Sequence, residues 1–343
     1  MNLFHHAILL LACVAALHAQ IPVPPAASAP SSTGSHTDSA DVAELASNFA
    51  YDPEEPADVK QVSAERRDGV MLYDITYASP RGGRVPAYVV IPRGKGPFPA
   101  ILWAHWMMAG SPLRNRNEFL EEALVMARAG AASLLLDAPL VRPHVKEDDD
   151  PMSTQGIYAS QQEVLDFRRG IDVLTARYNV DARRIAFVGH SFGAHVGAIL
   201  LPLDRRVKAA VLMAGGFADE EYVFRPDAGQ KMQTLRDRYG DEKVREFLHK
   251  YRWDDPVYYV GHSSPAFVFL QFGKQDPPIP EPLARHYFQM FGDPKKLALY
   301  DAGHALDAAA RRDRAQFLRE QLGLGDVETA ALDKIPQLNG KPN

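Results

Sequence analysis

Arg183-Arg184-Ile185-Ala186-Phe187-Val188-Gly189-His190-Ser191-Phe192-Gly193-Ala194-His195 is the run on which the reading of this chain turns. Ile185, Ala186, Phe187 and Val188 are continuously apolar, as in a parallel strand covered on both faces. Gly189-His190-Ser191-Phe192-Gly193 fits G-x-S-x-G, and the small apolar stretch 194–203 reads as a helix. Strand, G-x-S-x-G and helix together are the context in which that serine is a nucleophile. So tight a turn excludes side chains two before and two after Ser191. It strains the serine backbone and lifts its hydroxyl off the sheet. The helix behind aims its first N–H groups at the same spot.

Strands and helices alternate around this run. Strands are expected at 70–78, 85–91, 98–105, 131–137, 207–215, 265–273 and 296–300, and helices at 117–129, 161–178, 282–291 and 305–322. Ser79-Pro80-Arg81-Gly82-Gly83 makes the first two strands an antiparallel hairpin. The stretch 217–264 interrupts the alternation with charged helical segments. No internal repeat is present. The expected fold class is α/β, a mostly parallel sheet of about eight strands with helices on both faces.

The elbow run resembles the nucleophile elbow of the α/β-hydrolases, closest to the secreted members similar to dienelactone hydrolases and acetyl xylan esterases. A leading hairpin on a parallel sheet resembles the same family. The alternative is a Gly-Ser turn in another α/β protein, against which stand the flanking elements and the acid and histidine downstream. The resemblance implies an α/β-hydrolase domain at 41–325, in which the insertion 217–264 lies beside the site as a lid or cap.

The ends carry a different signal. The apolar stretch 7–17 is too short to span a bilayer, and Leu17-His18-Ala19 ends in a small residue before Gln20. Residues 1–19 therefore read as a secretory signal peptide, despite an n-region with His5 and His6 but no Lys or Arg. A rival reading takes Leu10-Leu11-Ala12-Cys13 as a lipoprotein site with lipid on Cys13. The expected location is periplasmic or extracellular. Cys13 is the single cysteine, so a chain cut after Ala19 has no disulfide and no cysteine nucleophile. Residues 20–40, rich in Pro, Ala and Ser, read as a disordered linker, and 326–343 as a tail with little pattern. A net charge of −5 gives no reason to expect nucleic acid as a partner. The acidic run Glu147-Asp148-Asp149-Asp150 reads as a solvated loop.

A serine hydroxyl needs a base in contact, and the base needs an orienting acid. The chain order in this fold is Ser, Asp or Glu, His. His304, in Tyr300-Asp301-Ala302-Gly303-His304, follows the last strand and precedes the last helix. Asp276, in Gly273-Lys274-Gln275-Asp276-Pro277-Pro278-Ile279-Pro280, resembles the acid loop of the family. Asp301 and Asp255 are its rivals, with Asp301 read as bracing its own loop. The catalytic set is therefore Ser191, Asp276 and His304. The oxyanion hole requires two backbone N–H groups. Phe192, directly after the nucleophile, is one. Many relatives carry His-Gly-Gly in the loop that supplies the other, where this chain has His105-Trp106-Met107. Trp106 is the expected donor, and Trp106 and Met107 are expected to narrow the acyl pocket. Met107 and His105 complete the expected substrate-binding set, with His105 also read as holding its loop.

His190 is expected to pack into the sheet edge and His195 to be structural. Neither H-E-x-x-H nor G-x-G-x-x-G occurs, so no metal and no cofactor is expected. The reading is an exported serine hydrolase of carboxylic esters with short acyl groups, acting on a small-molecule or carbohydrate ester. A peptidase or amidase of the same fold is the first alternative, although the chain has no room for a propeller domain. A binding module that kept the fold is the second, against which an intact Ser191, Asp276 and His304 argue.

Overall fold

The apolar runs of the sequence become the middle of a wide, mostly parallel sheet. In the computed structural model of the chain the described residues are 39–338, without 149, 151, 218, 219 and 226–229. The expected signal peptide 1–19 and all but two residues of the expected linker 20–40 lie outside them. Ser39 and Ala40 begin α1 (Ser39–Ala46).

Nine strands are present among the described residues: β1 (Lys60–Arg67), β2 (Val70–Ala78), β3 (Arg84–Ile91), β4 (Phe98–Ala104), β5 (Ala132–Leu136), β6 (Val180–His190), β7 (Val207–Met213), β8 (Phe267–Gly273) and β9 (Lys295–Tyr300). Their order across the sheet is β1-β2-β3-β5-β4-β6-β7-β8-β9. The first three strands are antiparallel, and β3 meets β5 antiparallel; every pairing from β5 to β9 is parallel. The count exceeds the expected eight by β1. That strand reads Lys-Gln-Val-Ser-Ala-Glu-Arg-Arg and is exposed almost throughout. A charged edge strand carries no apolar period, which also keeps it from pairing with other chains.

Helices cover both faces. α2 (Leu120–Arg128), α9 (Ala308–Leu322) and α10 (Thr329–Asp333) lie on one. α3 (Gln155–Arg177), α4 (Phe192–Leu203) and α8 (Glu281–Met290) lie on the other. Each central strand feeds both layers. Ile185 and Phe187 of β6 join the α3–α4 core, whereas Ala186 and Val188 face α2 and α9. Double coverage explains why β6 reads as an unbroken apolar run rather than an alternating one. Burying a side chain such as Phe187 contributes roughly 1.5–3 kcal/mol.

The insertion forms α5 (Glu220–Val223), α6 (Gln230–Tyr239) and α7 (Asp241–Lys250), followed by short helical turns at 252–262. Val223, Met232, Leu235 and Val244 give it a small apolar core of its own. The tail departs from the patternless reading. Leu332 of α10 is fully buried, and Arg311 of α9 donates to the carbonyl oxygens of Leu332, Ile335 and Pro336. No helix among the described residues is long and apolar enough to cross a membrane.

Candidate active site

The turn from β6 into α4 has the strain its sequence implies. Ser191 sits at φ 56° and ψ −109°, a conformation that costs an L-residue of order 1–3 kcal/mol. Its N–H donates to Met213 O of β7 at 2.8 Å, and its carbonyl accepts from Ala194 and His195. The elbow is sterically closed. A Cβ on Gly193 would lie 2.2 Å from Ala104 O, and one on Gly189 2.3 Å from Gly193 O. Ser191 is buried, and its Oγ has no hydrogen-bond partner among the described residues.

Beyond β7, the loops after β8 and β9 bring an acid and a base together. Asp276 follows β8, and His304 follows β9. His304 Nδ1 lies 2.9 Å from Asp276 Oδ2, with both side chains buried. Backbone bonds zip the two loops: Lys274 N–H donates to Tyr300 O at 2.8 Å and Gln275 N–H to Ala302 O at 2.9 Å. Gly273 permits that approach, since a Cβ there would lie 2.2 Å from Ala302 O. His304 Nε2, like Ser191 Oγ, has no hydrogen-bond partner among the described residues. The rival acids are engaged elsewhere. Asp301 is exposed and accepts from Gln275 Nε2, and Asp255 accepts from Val257 N–H within its own turn.

The loop after β4 corrects three expectations. Trp106 N–H donates to Glu118 Oε2 at 2.5 Å, so it is not free for an oxyanion. The next amide, Met107 N–H, has no hydrogen-bond partner among the described residues. Nor does the Trp106 ring narrow an acyl pocket: it is fully buried and stacks on His190, with centroids 4.9 Å apart. His105 is not open to substrate either. Its Nε2 accepts from Ala138 N–H at 3.0 Å, so its Nδ1–H donates to Trp106 O at 2.7 Å. Burial lowers the His105 pKa to about 4, in keeping with a neutral ring spent on holding its loop.

Glu118 is the residue that sequence reasoning missed. It reads as the start of a surface helix at 117–129, but α2 begins at Leu120 and Glu118 is buried in the loop before it. Its Oε1 lies 2.6 Å from His190 Nδ1, and His190 Nε2 lies 2.9 Å from His304 O. His190 thus does more than pack into the sheet edge. His195, one turn into α4, lies 3.6 Å from Asp254 of the insertion. Burial pulls its imidazolium down, but the Asp254 charge and then Asp255 outweigh that, and the pKa is raised. Among the described residues no three His, Cys, Asp or Glu side chains are grouped to hold a metal ion.

No protein-family model matches the chain. Curated relatives include the Esterase FrsA proteins of Salmonella newport and Salmonella agona, each 27% identical over 236 residues that cover 65% of this chain and 52% of theirs. The chain spans about half the length of the curated relatives it matches. Among solved structures, the acetyl xylan esterase from Paenibacillus sp. R4 has a TM-score of 0.65 at 21% identity, covering 82% of this chain and 93% of that one. Acetyl xylan esterase 1 from a Thermoanaerobacterium species gives 0.67 at 18% identity, covering 84% and 96%. A putative dienelactone hydrolase from Klebsiella pneumoniae gives 0.52 at 17% identity, covering 74% and 98%. The chain has the α/β-hydrolase fold.

Proposed function

We propose that this chain is a serine hydrolase that cleaves carboxylic esters of short acyl groups through an acyl-enzyme on Ser191. One observation carries the reading. A strained, buried serine with an unpaired hydroxyl stands at the N-terminus of α4, and a buried His304–Asp276 pair with an unpaired Nε2 stands on the adjoining loops. Ser191 Oγ attacks the ester carbonyl, and His304 Nε2 takes its proton. Asp276 fixes the Nδ1–H tautomer and stabilises the imidazolium that forms. The amides of Phe192 and Met107 receive the oxyanion. His304 returns the proton to the leaving alcohol, and water cleaves the acyl-enzyme by the same steps.

Met107, nearly buried beside that carbonyl position, limits the acyl group to a short chain. The alcohol side lies towards the insertion. The names of the structural relatives support an acetyl ester of a small molecule or carbohydrate as the substrate class. The leader at 1–19 supports export, which N-terminal sequencing of the mature protein tests.

The functional test is hydrolysis of p-nitrophenyl esters from acetyl to decanoyl, with Ser191→Ala alongside. Activity is expected to peak at acetyl or butyryl and to fall on the order of 10⁵–10⁶-fold in the variant. Hydrolysis that survives in Ser191→Ala sinks the nucleophile assignment. An inactive parent whose Ser191 still takes a serine-directed phosphonate redirects the reading to an amide or a narrower ester.

A further inference from the structure

Glu118 is a buried acid with no place in the Ser-Asp-His order, yet it touches the parts that order depends on. Its Oε2 accepts from Trp106 N–H, and its Oε1 meets His190 Nδ1 at 2.6 Å. His190, the residue before the nucleophile, reaches His304 O with Nε2 at 2.9 Å. Neither the Glu118 nor the His190 side chain has any solvent exposure. The His190 ring is stacked on Trp106 and lies 5.5 Å, centroid to centroid, from the His304 ring.

Hydrogen-bond chemistry limits where the protons are. A carbonyl oxygen only accepts, so His190 Nε2 must carry a hydrogen. Glu118 Oε1 and His190 Nδ1 stand 2.6 Å apart, which requires one hydrogen between them. On nitrogen it makes an imidazolium against a carboxylate; on oxygen it makes an imidazole against a carboxylic acid. Both arrangements have the same number of protons and no net charge. The remaining possibility, a carboxylate facing a bare Nδ1, sets two lone pairs against each other at side chains closed off from bulk solvent.

We propose that Glu118 and His190 are positioning residues for acyl transfer: a proton-sharing pair of zero net charge that holds the oxyanion loop, the elbow and the His304 loop in one register. This rests on the Ser191 reading above. The pair has two effects. It draws the Trp106 amide inward, which leaves the Met107 amide to face the reacting carbonyl. It also clamps the main chain of His304, so the ring held by Asp276 cannot slide away from Ser191. Zero net charge matters because His304 becomes an imidazolium during the reaction. A lone cation at His190 would oppose that, and the Glu118 charge cancels it. The other titratable groups near the pair are His304, whose ring packs on His190 and is held by Asp276, and the neutral His105, itself within reach of the Arg114 charge.

Glutamine can replace Glu118 bond for bond. Its carbonyl oxygen accepts from Trp106 N–H, and its amide donates to Nδ1 of a neutral His190, which still donates from Nε2. Alanine can make neither bond. The experiment compares the full-length parent, Ser191→Ala, Glu118→Gln and Glu118→Ala on p-nitrophenyl acetate, with ¹⁵N NMR of the histidine rings assigned through His190→Gln. Glu118→Ala is expected to lose ~10²-fold in kcat with KM within about threefold, the scale of losing one oxyanion donor. Glu118→Gln is expected to stay within about tenfold of the parent in kcat. The His190 ring of the parent is expected to show a protonated Nε2 at neutral pH, donating to the His304 carbonyl.

An Nε2 that is bare at neutral pH overturns the proposal. So does a Glu118→Gln protein as slow as Glu118→Ala, or a loss confined to KM. Should Glu118→Ala fail to fold, Glu118→Gln and the His190 resonances still decide. An inactive parent, or activity that survives in Ser191→Ala, overturns the ester-hydrolase reading instead; the resonances then judge the pair without reference to activity.

Discussion

The elbow and the insertion meet at one ion pair and are built in opposite ways. At the elbow, backbone lies on backbone: Gly193 has no room for a methyl group, and Ser191 is tied to β7 by its own N–H. Helices α5, α6 and α7 of the insertion rest on a cluster of four buried side chains of their own, whereas Phe217, Tyr259 and Val260 at its ends join the main core. Close-packed backbone cannot yield to a substitution, whereas a small apolar cluster opens locally at low cost. The difference separates two jobs. The elbow holds Ser191 in a strained conformation, and under the proposed function the insertion is the part that shapes what reaches it.

Gly193→Ala is expected to have the largest effect. Its Cβ must push Ala104 O aside, which displaces the strand that leads into the oxyanion loop. Overpacking of this kind costs about 1–3 kcal/mol or more. Thermal unfolding should show a lowered Tm, and ester hydrolysis should be lost with it. A variant with parent-like Tm and activity would mean that the elbow is softer than its geometry. Asp276→Asn comes next. It keeps the shape of the His304 contact but favours the wrong tautomer, so kcat should fall on the order of 10⁴-fold with little change in Tm. A large fall in Tm would make Asp276 a structural acid.

Val244→Ala tests the other side of the comparison. Removing two buried methyl groups should cost about 1–2 kcal/mol. Hydrogen exchange should quicken in α6 and α7 and stay unchanged in β6 and α4. Equal quickening in all four would unite the two regions. The smallest effect concerns pH. The raised His195 pKa favours its charged form in the folded chain, and burial raises the Asp254 carboxyl, so the folded state holds more protons than the unfolded one. The His195 contribution is full below the ordinary value of 6.5 and is lost as pH rises through the higher folded value. Protection at 251–262, taken relative to the intrinsic exchange rate at each pH, should therefore be lower at about pH 9 than at about pH 6, and His195→Gln should flatten the difference. An unchanged slope in the variant would assign the pH dependence to other groups.

These contrasts follow what could be read before any coordinates. The His304 loop was legible because chain order ranks the candidates after the half-buried β9, and the elbow and the Asp276 loop because each follows a buried strand. The sheet was legible for the same reason, save β1, whose charged face carries no period. Glu118 was not, since nothing local separates a buried glutamate from a solvent-facing one near a helix start. The oxyanion donor went wrong with it. The Trp106 amide is taken by a carboxylate twelve positions away, and sequence spacing has no access to that contact.

The C-terminal stretch changes meaning in the same light. Arg311 and Arg314 of α9 share the Glu122 carboxylate of α2, and Arg311 also donates to the carbonyls at 332, 335 and 336. Those carbonyls act as a plug for a guanidinium that lies almost wholly out of water. A shortened chain ending at 325 would leave that cation between two helices without the three carbonyl acceptors that it has now. The residues that look most dispensable in the sequence therefore set where this protein can be trimmed.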